Sequence, residues 1–373
     1  MTALFIVQLL LVVVLFARAW RDYATAPRLA RAGDDHPRLA VLVPARNEAH
    51  NIGPCLAALR ASERVDLEIV VIDDASTDAT ATIVDDVASR DARVTLVHAP
   101  PRPDGWCGKS WALAQGVAGV DPGIDQLCFV DADVRLAPET LARAVTYARD
   151  HDAAMVSLLP TLITETFWES VVQPVMGMMM FVFQPLGEVN DPAAELAVAN
   201  GQFLWVDRRA YERLGGHATV RGEIVEDVAL ARTFKAAGER VALVLAPEGM
   251  RTRMYDSLVS LWRGWGKTIH PYLQREPGRI WLGVLVFATL LWLPFATLGL
   301  VALGAGAVPF AVNLTTVVTI LANVLLFRAK MHQPLRHGLL WPLAIAVLVA
   351  LFAWRTLGTW AGWAVTWKQR TYA

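Results

Sequence analysis

Three clusters of carboxylates are the residues of this chain best suited to chemistry. The first two each follow a short apolar run with the composition of a β-strand, and the third precedes a helical pattern. Carboxylate oxygens are hard ligands, which suit Mg²⁺ or Mn²⁺ and the phosphates that these ions hold. The pattern therefore indicates an enzyme that handles a metal ion and a nucleotide. The clusters are Asp73-Asp74 with Asp78, Asp131 with Asp133, and Glu226-Asp227.

Short β-rich runs alternate with helical runs from Leu39 to Pro247, which predicts an α/β fold with a mostly parallel sheet. In such sheets ligands bind beyond the carboxyl ends of the strands, and the first two carboxylate clusters fall there. The elements therefore place these side chains at one edge of the sheet. Strands are predicted at 39–44, 68–73, 93–98 and 126–131, and helices at 51–62, 79–88, 108–120 and 228–237.

Other enzyme classes lack their signatures in this chain. A Rossmann dehydrogenase needs G-x-G-x-x-G after the first strand, where this chain has Pro44 to Glu48. Gly108-Lys109-Ser110 resembles the end of a P-loop, but position 103 is proline rather than the first glycine. There is no Ser-His-Asp order or nucleophile elbow, and the eight histidines show no metal-ligand spacing.

The composition indicates a membrane protein of a reducing compartment. The chain has 373 residues and is 55% apolar, above the usual ~45–50% of soluble domains, with the excess at its two ends. A net charge of −1 provides no basic field for a nucleic acid partner. Three cysteines without a C-x-x-C pair argue against a disulfide framework or a zinc site.

The apolar run from Ala3 to Ala17 predicts a transmembrane helix within residues 1–20. No basic residue precedes this run, whereas Arg18 and Arg21 follow it, which is the reverse of a cleaved secretory signal. By the positive-inside rule, the N-terminus lies outside and the next domain, 34–253, faces the cytoplasm.

The C-terminal region, 280–373, is predicted to return the chain to the membrane. No acidic residue follows Glu276, and three spans are expected at 280–303, 308–327 and 339–354, with Gly304 and Gly306 in the first turn. We therefore expect a multi-pass protein of the cell membrane. The chain end suits the headgroup region, because it combines tryptophans with cations: Trp360, Trp363, Trp367, Lys368 and Arg370.

Two further segments have an interfacial character. Residues 254–275 predict a basic amphipathic helix with Arg263 and Lys267 beside its apolar face. Residues 167–186 are rich in Met and Phe but include Glu169 and Pro174, so they fit either a core helix pair or a helix that lies at the membrane surface and lines the acceptor.

Taken together and in order, these motifs resemble family 2 inverting glycosyltransferases with the GT-A fold. The matching stretch runs from about Leu39 to Lys267 and contains V-P-A-R-N-E, V-I-D-D-A-S-T-D-A-T, F-V-D-A-D and E-D before a helix. Asp-x-Asp alone is a weak signal, but the four motifs in this spacing are specific. The segments G-W-C-G-K at 105–109 and A-N-G-Q-F at 199–203 are similar to membrane-bound, lipid-modifying members, such as carotenoid-acid and hopanoid-associated glycosyltransferases.

The resemblance implies donor-side roles for two of the clusters. Asp133 would bind Mg²⁺ or Mn²⁺, and Asp131 would lie near the metal or the ribose. One of Asp73 and Asp74 would contact the uracil, whereas Asp78 more plausibly caps the next helix. Alternatives are a solvated turn for the Asp131 pair and a local ion pair in the first loop. The remaining nucleotide-sugar contacts implied by the resemblance are Pro44, Arg46, Glu48 and Lys109.

The third cluster is the catalytic candidate on the acceptor side. Asp227 would accept the proton of the attacking group as general base, and Glu226 would orient it or raise its pKa. The alternative is a pair of helix N-terminal charges that the helix dipole favours. Gln202, Arg263 and Trp265 are implied on the acceptor or diphosphate side, although Arg263 and Lys109 are each equally explained as a surface cation.

The resemblance implies transfer of a single hexose from a UDP-sugar to a membrane lipid. The family's Q-x-x-R-W signature is altered here, because the Gln is absent and Gly264 separates Arg263 from Trp265. This departure, and the small number of spans, disfavour the alternative of a processive polysaccharide synthase. A second alternative is a non-catalytic membrane module that binds a nucleotide sugar.

Overall fold

The computed structural model describes residues 2–304, 309–363, 365–367 and 370–372, and divides into two compact units. The sheet unit comprises Ala26–Ile163 and Leu186–Met254. The helical unit comprises Met1–Thr25, Thr164–Pro185 and Tyr255–Ala373. The chain therefore leaves the sheet unit at residue 164 and returns to it at residue 186.

The helices and strands of the sheet unit alternate as the sequence predicts, and the predicted bounds are met within two residues. In chain order they are β1 (Arg38–Ala45), α2 (Ile52–Arg60), β2 (Asp66–Asp73), α3 (Thr80–Ala88), β3 (Val94–His98), α4 (Gly108–Ala118), β4 (Gln126–Val130), β5 (Val134–Leu136), α5 (Thr140–Asp150), β6 (Met155–Leu159), β7 (Thr161–Leu162), α7 (Leu186–Val189), β8 (Phe203–Asp207), α8 (Arg208–Arg213), α9 (Gly216–Thr219), α10 (Glu226–Ala236), β9 (Val241–Leu245) and β10 (Met250–Thr252).

The main sheet has seven strands in the order β3-β2-β1-β4-β8-β6-β9. Only β8 runs antiparallel to its neighbours β4 and β6, so the α/β fold with a mostly parallel sheet is confirmed. A second, three-stranded sheet has the order β5-β10-β7.

Both faces of the main sheet are covered, which explains its continuous apolar strands. Leu39, Val41 and Val43 of β1 pack into one core with residues of α2 and α5. Ala40 and Leu42 point to the opposite core, which includes residues of α4 and α10. Because side chains alternate along a strand, one strand supplies both cores and holds its carboxyl end rigidly.

The helical unit contains long apolar helices at both ends of the chain. Within the described residues, four segments are long and apolar enough to cross a membrane: Thr2–Thr25, Pro277–Ala302, Phe310–Lys330 and Leu335–Trp360. The elements are α1 (Thr2–Thr25), α6 (Phe167–Phe183), α11 (Leu258–Arg275), α12 (Pro277–Leu291), α13 (Leu293–Ala302), α14 (Phe310–Lys330), the 3₁₀ helix η1 (Leu335–Leu340), α15 (Trp341–Trp360), β11 (Val365–Trp367) and β12 (Arg370–Tyr372).

Helix α6 is a helix of this unit and not part of the sheet unit's core. Pro174 inside α6 has no N–H with which to bond the carbonyl of Ser170 four residues earlier. The Arg328 guanidinium of α14 donates to that carbonyl at 2.9 Å, so a side chain replaces the missing helical bond.

Part of the predicted membrane region lies outside the described residues. This applies to Gly306, to Lys368, and to the side chains of Trp367 and Arg370. Of the interfacial tryptophans that are described, Trp360 is 75% exposed and Trp363 is 51% exposed.

Candidate active site

The carboxyl ends of four strands meet at one edge of the main sheet. Ala45, Asp73 and His98 end β1, β2 and β3 and are direct neighbours in the strand ladder. Strand β4 pairs with β1 on its other side, and Asp131 follows its last residue. Two of the predicted clusters therefore lie at the same edge, as the sequence indicates.

Asp73 and Asp74 are both buried at the end of β2. The carboxylate of Asp73 accepts from the backbone N–H of Ser76 at 3.3 and 3.4 Å, and Nδ1 of the exposed His98 lies 3.4 Å from its Oδ2. The Asp74 N–H donates to the carbonyl of Ala45 at 2.8 Å. The structure thus distinguishes Asp73 from Asp74, because the His98 ring lies beside the Asp73 carboxylate. The sequence motifs did not indicate this histidine.

The loop after β1 is tied to the loop after β2. Arg46 donates to the carbonyl oxygens of Asp74 at 2.5 Å and Ala75 at 3.3 Å. The Glu48 N–H donates to the Thr80 hydroxyl at 2.8 Å. These bonds place Arg46 and Glu48 in the first loop beside the Asp73 edge, whereas Pro44 belongs to β1 and pairs with Ile72 of β2.

Asp78 bonds to the first turn of α3, although the N-cap position itself is Ala79. Its Oδ1 accepts from the Thr80 N–H at 3.0 Å at the start of α3, and its Oδ2 accepts from the Ala49 N–H at 3.1 Å. Burial raises its pKa, but the hydrogen bonds from Thr80 and Ala49 outweigh burial and lower the pKa below its usual value.

Lys109 joins the second and third carboxylate clusters. Its Nζ lies 2.7 Å from Asp131 Oδ1 and 2.9 Å from Glu226 Oε1, and it donates to the Gly201 carbonyl at 3.0 Å. Burial lowers the Lys109 pKa, but Asp131, Glu226 and Asp227 together raise it further, so the group remains a cation. The lysine is therefore a fixed positive charge between donor-side and acceptor-side carboxylates.

Asp227 is held at the start of α10 by two backbone N–H groups. Its Oδ2 accepts from Gly201 at 2.5 Å and its Oδ1 from Val228 at 2.9 Å. A Cβ at position 201 would lie 2.8 Å from Asp227 Oδ2, so only glycine permits this approach. Gly201 is thus a site residue that sequence reasoning did not identify, although it lies within the A-N-G-Q-F motif.

Burial and the adjacent Glu226 raise the pKa of Asp227 to about 6, although Lys109 and the bonds from Val228 and Gly201 oppose this rise. A carboxylate with a pKa near the working pH is well matched to proton transfer. The arrangement can therefore accept a proton from a group that approaches Asp227.

His217 lies in the same region but is structural in its contacts. It is 2% exposed, and its Nδ1 lies 2.7 Å from the hydroxyl of Tyr211. Burial lowers the pKa of His217 to about 4, with a smaller opposing effect of Glu226, so the ring is neutral at physiological pH.

The carboxylates of Asp131 and Asp133, after β4, are suited to a divalent ion whose remaining ligands come from a bound diphosphate and water. Asp131 and Asp133 belong to the tight turn from β4 to β5. Among the described residues no group of three or more His, Cys, Asp or Glu could hold an ion. Mg²⁺ is commonly bound by one or two carboxylates together with substrate phosphates and water, so two carboxylates suffice when a diphosphate completes the shell.

The three residues predicted on the acceptor side do not share one environment. Gln202 is buried in the sheet unit, where its Nε2 donates to the Thr252 hydroxyl at 3.0 Å. Arg263 and Trp265 belong to α11 of the helical unit. Gly264 between them accommodates the ring of Tyr255, which a Cβ at that position would overlap. Packing against Tyr255 therefore explains why a glycine separates Arg263 from Trp265.

The comparisons with known proteins agree with this geometry. Residues 40–214 match the family described as Glycosyl transferase family 2, and this range contains the first two carboxylate clusters and Lys109. Residues 40–214 therefore form a glycosyltransferase family 2 domain. The main sheet is that of a GT-A fold.

Two similar relatives are 4,4'-diaponeurosporenoate glycosyltransferases of Staphylococcus aureus. The chain is 29% identical to that of strain MRSA252 over 242 residues, and 30% identical to that of strain USA300 over 244 residues. Each match covers 62% of this chain and 61% of the relative. The chain therefore spans about three fifths of the length of these relatives.

Among solved structures, the chain is similar to the mannosyltransferase PcManGT from Pyrobaculum calidifontis in complex with GDP-Man and Mn²⁺. The TM-score is 0.55 at 22% identity, with 95% of this chain and 96% of the other covered. This likeness supports the fold of the family 2 glycosyltransferase described here.

Proposed function

We propose that this family 2 enzyme is an inverting glycosyltransferase that moves a single hexose from a UDP-sugar to a membrane lipid. The observation that carries the proposal is the Lys109 cluster. It joins Asp131, at the strand edge where nucleotides bind in α/β sheets, to Glu226 beside the candidate base Asp227. Donor-binding and base-bearing groups are thus neighbours, as a transfer reaction requires.

The donor half of the site suits a nucleoside diphosphate. Asp73 offers a carboxylate to an N–H of the base, and Arg46 and Lys109 offer positive charge to phosphates. Asp131 and Asp133 would hold Mg²⁺ or Mn²⁺, which would neutralise charge on the departing diphosphate. The Mn²⁺ bound with GDP-Man in the mannosyltransferase of P. calidifontis supports this assignment by analogy.

The acceptor half suits a group that loses a proton as it attacks. Asp227 would take the proton of a hydroxyl while its oxygen approaches the anomeric carbon from the face opposite the diphosphate. The N–H groups of Gly201 and Val228 fix the direction of the Asp227 carboxylate. Glu226 and Lys109 set its charge environment and do not contact the acceptor in this mechanism.

The helical unit supports a lipid acceptor. Its four long apolar helices are suited to membrane association, and the S. aureus relatives are named for 4,4'-diaponeurosporenoate, a carotenoid acid. We propose that the protein is a multi-pass protein of the cell membrane and that its sheet unit faces the cytoplasm, because Arg18 and Arg21 follow the first apolar run.

The test is a transfer assay with purified full-length protein, Mn²⁺ and a panel of UDP- and GDP-sugars. Lipids from cells with and without the protein would be compared by mass spectrometry. We expect one added hexose per lipid, and loss of metal-dependent nucleotide binding in Asp133→Ala. Failure to bind or hydrolyse any nucleotide sugar would refute the proposal, and long saccharide products would indicate a processive synthase instead.

A further inference from the structure

The helical unit contains a buried amide that its surroundings do not satisfy. Gln173 of α6 is fully buried, and among the described residues neither its Nε2 nor its Oε1 has a hydrogen-bond partner. Buried polar groups without partners are rare in native proteins, and within hydrocarbon no bulk water is available to them. The amide is therefore a candidate for binding a polar group that is not part of the chain.

Two other buried amides of the same unit are paired. Gln8 of α1 donates to the Thr289 carbonyl at 2.8 Å, and Asn313 of α14 donates to the Pro294 carbonyl at 3.1 Å. Oε1 of the buried Gln333 also has no hydrogen-bond partner among the described residues. Gln173 differs from all three, because neither its Nε2 nor its Oε1 is paired among these residues.

A second unpaired donor lies on a helix that packs against α6. Trp265 of α11 is 8% exposed, and within the described part of the chain its Nε1 has no hydrogen-bond partner. Helices α6 and α11 contact each other, and both contact α15. Two adjoining helices thus each bear one buried polar group available to a ligand.

Space exists one helical turn beyond the amide. Gly177 follows Gln173 by four residues and so lies on the same face of α6. A Cβ added at Gly177 would meet no atom of the described side chains within 4 Å, whereas one added at Gly266 of α11 would lie 2.8 Å from the Trp354 ring. The helix surface beside the amide is therefore open, unlike the tightly packed surface of α11.

We propose that Gln173, Gly177 and Trp265 form a binding site for the hydroxyl-bearing headgroup of a membrane lipid. An amide presents both donors and an acceptor, and a hydroxyl can accept from Nε2 and donate to Oε1 at the same time. A carboxylate can only accept from Nε2, and a hydrocarbon can bond to neither atom. The inference rests on the proposed function only in taking this lipid to be the sugar acceptor.

The binding test uses the full-length protein in detergent, with geranylgeraniol, geranylgeranoic acid and the matched C20 hydrocarbon as probes. Thermal shift should report the tightest binding for the alcohol, because a ligand stabilises the state that binds it. In Gln173→Leu we expect the Kd for the alcohol to rise about tenfold, which corresponds to ~1.4 kcal/mol. The melting temperature without lipid should be equal or higher, because leucine removes the unpaired groups.

Gln8→Leu is the matched control for this variant. It removes an amide that is paired with Thr289, so its melting temperature should fall while its affinity for the alcohol stays unchanged. Trp265→Phe, which removes the indole N–H together with part of the ring, should weaken alcohol binding about three- to tenfold.

A second pair of variants tests the open space. Gly177→Ala and Gly299→Ala both add a methyl group to a helix at a place where the described part of the chain has no neighbouring atom within 4 Å. Both should keep or raise the melting temperature, because alanine favours helix more than glycine does. Only Gly177→Ala should weaken binding of the alcohol, since its methyl group enters the space beside Gln173.

Equal binding of the three probes, or wild-type affinity in Gln173→Leu, would overturn the site, since a buried water would then account for the amide. If the alcohol binds as expected but no nucleotide sugar supports transfer, the proposed function fails and the lipid site stands. If transfer occurs and Gln173→Leu leaves the acceptor KM unchanged, the function stands and the site fails.

Discussion

Lys109 is the residue that organises the chemistry of this protein at the scale of single side chains. Its ammonium contacts Asp131 and Glu226, and it moderates the charge felt by Asp227. Without this cation, three carboxylates would face one another in a partly buried place, which is unfavourable unless protons or metal ions compensate. Asp227, Glu226 and Asp131 are therefore one electrostatic unit.

The first prediction concerns the pH dependence of the base. Only the ionised form of Asp227 accepts a proton, and burial raises its pKa to about 6. With a hydroxyl acceptor, kcat/KM should therefore fall about tenfold per pH unit below ~6 and level off above it. A profile that stays flat from pH 7 to pH 5 would exclude Asp227 as the base in the free enzyme.

The second prediction uses Asp227→Asn to identify the acceptor group. With a hydroxyl acceptor the variant should lose about 10²–10⁴-fold in rate, because no base remains. A carboxylate acceptor is already ionised near neutral pH, so the loss should be much smaller. Turnover would be measured on an alcohol and an acid of the same chain, and equal losses on both would contradict this reasoning.

The third prediction concerns the stability that Lys109 provides. Lys109→Met should lower the free energy of unfolding by about 2 kcal/mol, because Asp131 and Glu226 lose their shared cation. This is less than the ~3–5 kcal/mol typical of a fully buried pair, since the Lys109 side chain is 28% exposed. Thermal melting would show a decrease of roughly 4–8 °C.

Two variants serve as controls for Lys109→Met. Lys109→Arg keeps the charge and should melt closer to the wild type. Adding Glu226→Gln to Lys109→Met should restore part of the loss, because one uncompensated carboxylate is removed. A double variant that melts lower than either single variant would argue against the electrostatic explanation.

At the scale of elements, the site depends on where helices and strands begin and end. The parallel strands β1, β2 and β3 bring Ala45, Asp73 and His98 together because their register is set by buried apolar residues. Helix α10 begins at Glu226. The carboxylate of Asp227, the second residue of this helix, accepts a hydrogen bond from the N–H of Gly201, which lies just before β8. The close contact of these two segments fixes the direction of the base.

The fourth prediction tests this contact with Gly201→Ala. The added Cβ would lie 2.8 Å from Asp227 Oδ2, so the carboxylate must move and lose the Gly201 bond. We expect kcat to fall at least about tenfold while nucleotide binding remains. Gly53→Ala in α2 is the control, because its Cβ would meet only Ile83 at an ordinary 3.7 Å. An active Gly201→Ala enzyme would show that this packing does not position the base.

At the scale of the whole molecule, the chain builds each unit from separated segments. Helix α6 is inserted between β7 and α7 of the sheet unit, yet it packs with helices from both ends of the chain. One cleavage of the chain cannot separate a soluble enzyme from a membrane anchor, because the apolar helix α6 would remain covalently attached to the sheet unit.

The fifth prediction concerns orientation and uses the burial of Cys55, Cys107 and Cys128. Because the native thiols are buried, a cysteine introduced at an exposed position should dominate labelling by a membrane-impermeant maleimide. Thr82→Cys in α3 should react only after the cells are permeabilised, whereas Thr2→Cys should react on intact cells. The opposite pattern would reverse the proposed topology.

The sequence by itself determined the features that depend on local pattern. Strand and helix periods, the acid-free ends and the order of the carboxylate motifs indicated a GT-A fold with apolar helices, because these signals are carried within short windows. The bond from Asp78 to the start of α3 was likewise predictable, since its partner Thr80 lies two residues further along the chain.

Only the tertiary structure decided which distant residues meet. It joined Lys109 to Glu226, placed Gly201 against Asp227, assigned Arg263 and Trp265 to the helical unit, and left the Gln173 amide unpaired. These contacts depend on packing between segments far apart in the chain, where no periodicity specifies the partner. The antiparallel direction of β8 is a further case, because strand propensity does not specify the direction in which a strand pairs.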